Sequence, residues 1–422
     1  MSADSKDQTT NGELEAFQVP GLFASIAFLT LSLAALVQFL WQGTALFMRA
    51  AGHPSEVVGL VFLAGLPWLL RFLWSPLLDR MGNRHLGHFR SWILATQAII
   101  FVVLAMLLAT PPTTSPYALL AVLGVLSAVM GTQQTAIFGL AATHLRPEDR
   151  VKGMTIQALS YAAAGILMGA GILYWLGDLG WHVTVLAIVG FAAIGLLFTL
   201  FIPLDAGHRP GAPTARLLNQ FQMLRDPRVL WLFAISATLG VGVAATFGLQ
   251  SLMLIDAGFG VAEASLIAVV GANAVGFVGA ALARPLIEAL GGYASIGLIG
   301  FALSASCLGF AFALGSELEP AIVVAAILVN STLMFALMPA TRSILLAYCG
   351  AGRKATDFAA YTGLEGLVFM VLVSLFAQFT DTVGYAGLLF VAGLASMAGA
   401  AMAFMRRPFA QAGSVKAIGN DQ

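Results

Sequence analysis

The chain has 422 residues, 59% of them hydrophobic and only 9% charged, with 20 acids against 20 Lys and Arg. A soluble domain carries about a quarter charged residues, so this composition excludes an ordinary soluble enzyme. The formal net charge of zero gives no bulk attraction for nucleic acid.

Residues Met1 to Pro20 are polar and acidic and lack the basic, apolar, small-residue order of a signal peptide. The first apolar span is therefore expected to stay in the membrane. Spans near the twenty apolar residues that a bilayer core demands then follow at roughly 22–46, 57–78, 91–110, 117–142, 154–177, 183–203, 229–254, 262–287, 293–314, 320–348, 357–379 and 384–405. Seventeen of the 20 basic residues fall in or at the edge of every second gap, or in the two tails. The opposite gaps hold only Arg49, and Arg71 and Arg342 sit within spans. This is the positive-inside pattern of a multi-pass inner-membrane protein with both termini in the cytoplasm. Cys307 and Cys349 lie in or beside apolar spans, so neither a disulfide framework nor a metal cluster is expected.

The longest polar gap, Leu204–Arg228, lies midway and follows Pro203; it holds Pro210, Pro213 and four Arg. It reads as a cytoplasmic linker (204–228) between two six-helix bundles, 22–203 and 229–405, with cytoplasmic tails at 1–21 and 406–422. Within it, Leu217–Leu224 suggests a short surface helix. The bundles look related. Ser75-Pro76-Leu77-Leu78-Asp79-Arg80-Met81-Gly82 ends span two, and Arg284-Pro285-Leu286-Ile287-Glu288-Ala289-Leu290-Gly291 ends span eight, at an offset of 209 residues. Pro, Leu, the acid and Gly coincide. The segment Ser75–Arg84 resembles the loop signature of the major facilitator superfamily, G-x-x-x-D-R-x-G-R-R. Ser75 replaces the first Gly and Asn83 one basic position. The resemblance implies an all-α membrane fold of twelve helices in two pseudo-repeats, with Asp79, Arg80 and Arg84 latching the halves. The physical reading agrees: Gly82 permits a tight turn, and Asp79 can face the positive N-terminus of a neighbouring helix.

The neighbourhood Gly65-Leu66-Pro67-Trp68-Leu69-Leu70-Arg71-Phe72-Leu73-Trp74, followed by Arg90-Ser91-Trp92, resembles one branch of that superfamily. The branch holds muropeptide permeases, acetyl-CoA transporters and siderophore permeases of the rhizobactin and pyochelin type. Ala355-Thr356-Asp357-Phe358, and Pro147-Glu148-Asp149-Arg150 with Gly153, resemble its other motifs. One departure is informative. Span four reads Thr132-Gln133-Gln134-Thr135-Ala136 where muropeptide permeases carry two acids, and Ser160-Tyr161-Ala162 stands where the branch carries G-Y-R. An acid and its Arg partner lost together leave no stranded charge. That departure, and twelve spans where muropeptide permeases usually have two more, favour the siderophore-permease group.

Ionisable residues inside a membrane are costly and usually functional. Arg71 and Glu365 each lie about 12 Å from the cytoplasmic end of their spans, two and eleven, which are neighbours in the superfamily. They are expected to pair and close the cytoplasmic side, with protonation of Glu365 favouring opening. Asp357 either pairs with Arg80 or caps span eleven. Arg342, in span ten, either meets an anionic group of the substrate or snorkels to the surface. Neutral polar and aromatic residues gather in spans one, four, seven and ten: Gln38, Trp41 and Gln42; Gln133 and Gln134; Phe247 and Gln250; Asn330. These are the candidate substrate residues, each with interhelical packing as the competing role. A cavity rich in amides and poor in charge suits a large, weakly anionic ligand.

The reading is a monomeric secondary active transporter that imports an iron–siderophore or other metallophore with protons by alternating access. No cofactor, no resident metal and no nucleic-acid partner is expected. The alternative is a muropeptide-type permease or an exporter of the same fold. The alternative of another class is a polytopic membrane enzyme, but none of the six His forms a buried cluster with acids.

Overall fold

The computed structural model describes residues 21–44, 47–48, 51–53, 55–83, 85–168, 180–202, 222–260, 263–264, 266–314, 319–350 and 353–418. Arg84 and most of the central linker lie outside the described residues, as do the first twenty residues of the tail. Of the surface helix expected at 217–224, the described part is a 3-10 turn, Gln222–Arg225.

The described residues fold into fourteen α-helices. The first bundle contains α1 (Leu22–Gln38), α2 (Ser55–Ala64), α3 (Leu66–Leu69), α4 (Ser75–Arg80), α5 (His88–Ala109), α6 (Pro116–His144), α7 (Arg150–Ile166) and α8 (Trp181–Thr199). The second contains α9 (Pro227–Asp256), α10 (Ala272–Leu290), α11 (Gly292–Ala313), α12 (Pro320–Tyr348), α13 (Lys354–Gln378) and α14 (Thr380–Ile418). Ten helical stretches are long and apolar enough to cross a membrane. Spans two and five are the other expected two. The described part of span five ends at Met168, and α7 takes up 17 residues of it. Span two is divided. Pro67 and Pro76 occupy the first turns of α3 and α4, where the absent N–H costs little. Each lacks the amide that would continue the preceding helix, and a 3-10 turn, Leu70–Leu73, fills the gap. The backbone of the expected C-terminal tail is helical to Ile418, as the continuation of α14.

Helix packing repeats between the bundles. The pairs α1–α7, α1–α8, α5–α6 and α5–α8 recur as α9–α13, α9–α14, α11–α12 and α11–α14. The bundles meet along two seams, α7 against α10 and span two against α13. Small residues bring helices close inside the second bundle. A Cβ on Gly279 of α10 would drive into the Thr332 carbonyl of α12.

The apolar core is continuous across the bundles toward the face with the basic loops, where Ala355, Phe358 and Tyr361 of α13 join it. Toward the opposite face the second bundle keeps a core of its own, built on Leu249, Met253, Val323, Phe376 and Leu389.

Candidate functional site

Four layers of contacts join span two and α6 to α13, ordered inward from the basic face. Asp79, at the end of α4, is buried and accepts hydrogen bonds from the backbone N–H groups of Ala355 (3.2 Å) and Thr356 (2.7 Å). The first amides of a helix have no intrahelical acceptor, and Arg353 at the N-cap offers no side-chain bond. The carboxylate from the other bundle therefore caps α13 and meets the positive end of its dipole. Lys354 Nζ donates to the Ala142 carbonyl at 2.8 Å, near the C-terminus of α6. Next, Phe138 of α6 stacks on Phe358 of α13 with ring centroids 3.9 Å apart.

Arg71 forms the third layer. It is 3% exposed and sits on the 3-10 turn. Its Nη1 donates to the Trp68 carbonyl (2.7 Å), its Nη2 to Thr362 Oγ1 on α13 (2.8 Å), and its guanidinium lies 4.9 Å from the Trp68 ring centre. In the fourth layer Leu69 packs against Gly366, while Gly363 leaves room for Phe72 and the Leu69 carbonyl.

The expected Arg71–Glu365 pair is not what this structure contains. Glu365 pairs with Arg342 of α12 at 2.5 Å, and both side chains are about one-fifth exposed. The tight 3-10 turn returns Arg71 to its own carbonyl three residues back and aims its other nitrogen at Thr362, one turn before Glu365. The Asp357–Arg80 pairing is likewise replaced. Asp357 pairs with Arg353 at 2.7 Å and accepts the Gly350 N–H at 2.9 Å. Gly82 does not need a positive φ; it leaves space for the His88 ring.

Around the two arginines stands a polar set from the first bundle. Tyr161 of α7 is near enough to feel the charges of both Arg71 and Arg342, and its hydroxyl accepts a hydrogen bond from Gln134. Gln134, Gln157, Tyr161 and Thr30 line a small crevice with Leu33, Ile137 and Phe138. The Oε1 atoms of Gln134 and Gln157 and the hydroxyl of Thr30 are buried without a protein partner. Buried polar atoms normally find partners, so such a cluster calls for an explanation.

The other candidates are dispersed. Gln133 is fully buried in α6. Asn330 donates to Thr246 at 2.9 Å and so ties α12 to α9, the packing role weighed against substrate contact. Gln38 and Trp41 are half-buried beyond the centre of α1, and Trp41 covers Gly65. Gln42 has a described backbone in the π-turn after α1 and no described side chain. Phe247 is 47% exposed and lies tilted against Phe369, 5.7 Å away, with Gln250 half-buried nearby in α9. Sequence reasoning missed Thr362, Lys354, Gln157 and the Phe138–Phe358 stack. A signal existed only for Lys354, a basic residue at a helix start, where charge opposes the dipole and so implies a tertiary partner.

A model of the family described as the Major Facilitator Superfamily matches residues 19–371. The chain belongs to the major facilitator superfamily. It is 33% identical over 139 residues to the anhydromuropeptide permease of Escherichia coli, a stretch covering 32% of this chain and 28% of the permease. It is 25% identical over 142 residues to the putative transporter AmpG 3 of Rickettsia prowazekii, covering 32% of this chain and 33% of that protein. The chain thus matches about a third of the length of these relatives, which are a permease and a putative transporter rather than enzymes. In fold it resembles the Escherichia coli fucose:proton symporter FucP (TM-score 0.71, 14% identity, 91% of this chain and 98% of that one). It also resembles a bacterial homologue of the iron transporter ferroportin in the outward-facing state (TM-score 0.69, 16% identity, 91% and 98%). The protein is a multi-pass membrane protein of this transporter superfamily.

Proposed function

We propose that the protein is an inner-membrane permease that takes up a muropeptide-type ligand, a sugar carrying a short peptide, by alternating access. The carrying observation is the pair of arginines set among glutamine amides and a tyrosine where the two bundles meet. Arg71, Arg342 and Glu365 together leave one formal positive charge. A muropeptide presents amide groups for Gln134 and Gln157 and peptide carboxylates for the arginines, where charge-assisted bonds are the strong ones. The relatives named above support this class. They replace the metallophore as the leading substrate, since no relative named here carries a siderophore in its name. The absent acids of span four mean that proton coupling runs through other groups than in the muropeptide permeases, and Glu365 is the candidate.

The basic loops mark the cytoplasmic face, with both termini there. The four layers that join span two and α6 to α13 then close the cytoplasmic side, while α2, the outer part of span two, leans on α6 within its own bundle. The conformation is outward-facing, ready to receive substrate from the periplasm.

The test is uptake into right-side-out inner-membrane vesicles. Radiolabelled anhydromuropeptide is compared with a panel of iron-loaded siderophores, with and without a proton gradient. Gradient-dependent accumulation of the anhydromuropeptide alone supports the reading. Accumulation of an iron complex instead restores the metallophore reading and removes this one.

A further inference from the structure

Arg71 is buried and has no carboxylate within ion-pair distance among the described residues. Its charge rests on two hydrogen bonds and the face of Trp68. Its Nε is a third buried donor without a partner. Arg342 spends Nη2 on Glu365 and keeps a buried Nη1 that is also unpaired. Arg71 bonds Thr362 and Arg342 bonds Glu365, one turn further along α13, so the two guanidinium groups are neighbours. Burying a cation without a counter-charge is unfavourable, and the neighbouring charge of Arg342 adds to that for Arg71. Unspent donors on both arginines therefore point to an anion that the protein itself does not provide.

We propose that Arg71 and Arg342 form a carboxylate-binding subsite in which Glu365 is the resident competitor. A ligand carboxylate bridges the unpaired donors and displaces Glu365 from Arg342, and Glu365 takes up one proton from solution as it loses its cation. The charge count balances. One negative charge enters on the ligand and one is cancelled on Glu365, so the site keeps its net charge of plus one while one proton travels with each carboxylate. The ligand and proton thereby bind cooperatively without any direct contact between them. The groups facing Glu365 agree with this assignment. Arg342 faces it from α12 and Arg71 from the 3-10 turn; on its own helix stands Tyr361, bonded to Ser236 of α9 and neighboured by Tyr293 of α11. No second carboxylate lies among them to take the proton instead.

This rests on the muropeptide reading only for the identity of the full substrate. The subsite is tested with a minimal carboxylate and its uncharged twin, N-acetyl-D-alanine and N-acetyl-D-alanine amide, by thermal melting of the purified detergent-solubilised protein. The acid is expected to stabilise the wild-type protein and the amide is not. Where binding takes up a full proton, the apparent affinity for the acid rises about tenfold for each unit fall in pH, as linkage of one proton requires. Glu365→Gln should bind the acid about tenfold more tightly than wild type near neutral pH and lose the pH dependence. Arg71→Gln should lose the acid's effect, and Arg71→Lys, which keeps the buried charge, should retain part of it. Equal stabilisation by acid and amide overturns the proposal. So does pH-independent binding by the wild type, or unchanged acid affinity in both Arg71 variants. Failure of anhydromuropeptide uptake removes the substrate reading and leaves this assay standing, because the small acid and amide need no larger recognition.

Discussion

The ends of spans two and eight are near-copies in sequence, yet they do different work. Asp79 is buried, reaches into the other bundle and caps α13. Glu288, 209 residues later, is half-exposed and bonds Arg284 on its own helix at 2.7 Å. Pro76 opens a new helix after a 3-10 turn, whereas Pro285 lies inside an unbroken α10. Gly291 takes a positive φ of 82° and ends its helix, while Gly82 does not. The receiving helices explain the difference. α13 begins at Arg353 and Lys354, and the one acid of its first turn, Asp357, is spent on Arg353 and the Gly350 N–H, so its first amides are left for an outside carboxylate. α7 begins directly after Glu148 and Asp149, an acidic turn that already answers its dipole and repels a second acid. A duplicated motif becomes a latch only where the opposite helix end needs an anion.

The comparison breaks most visibly at Asp79. Replacing it with Ala removes two charge-assisted bonds that exist only in the closed arrangement, each worth about 1.5–3 kcal/mol. The closed population is expected to fall by about tenfold or more. Cys349, half-buried beside Asp79, Asp357 and Lys354, is the built-in reporter. Its labelling by a permeant maleimide should quicken by about the same factor, with Cys307 buried as the background. Lys354→Met removes the bond to the Ala142 carbonyl, worth about 0.5–1.5 kcal/mol. Labelling of Cys349 should rise several-fold, and less than for Asp79→Ala. Glu288→Gln should change neither labelling nor melting temperature, since an exposed i,i+4 pair contributes about 0.3–0.5 kcal/mol. Quickened labelling in Glu288→Gln would show a second working latch. The sharpest variant is Glu148→Gln with Asp149→Asn, which strips α7 of its own acids. If the dipole argument holds, Glu288→Gln becomes costly in that background, and melting curves of the four combinations give the coupling directly.

Ten of the twelve spans and the meeting of Asp79 with a helix N-terminus were legible in the chain, because hydropathy and a motif at a helix end carry that information locally. The partner of Glu365 was not. Counting residues gives depth in the membrane but not the direction a side chain takes around its helix, and Arg71 and Arg342 lie at similar depths. The deciding turn, 3-10 over Leu70–Leu73, changes that direction within four residues. Pro67 and Pro76 signalled a disturbance in span two without giving its geometry. The polar residues of spans one, four, seven and ten, expected as one set, divide. Gln134 joins the arginines, while Asn330 serves the contact with α9.

The two buried arginines also differ in how they are made. Arg342 and Glu365 sit on consecutive helices, so α12 and α13 can enter the bilayer as a hairpin whose charges cancel at once. Arg71 waits for Thr362, which is synthesised 291 residues later. Throughout that interval the Trp68 carbonyl and ring are its nearest help, and a nascent chain that stalls between the two bundles carries an exposed cation in the membrane. Quality control of insertion should therefore fall on the first bundle, and a truncated chain ending before α13 should be the short-lived one.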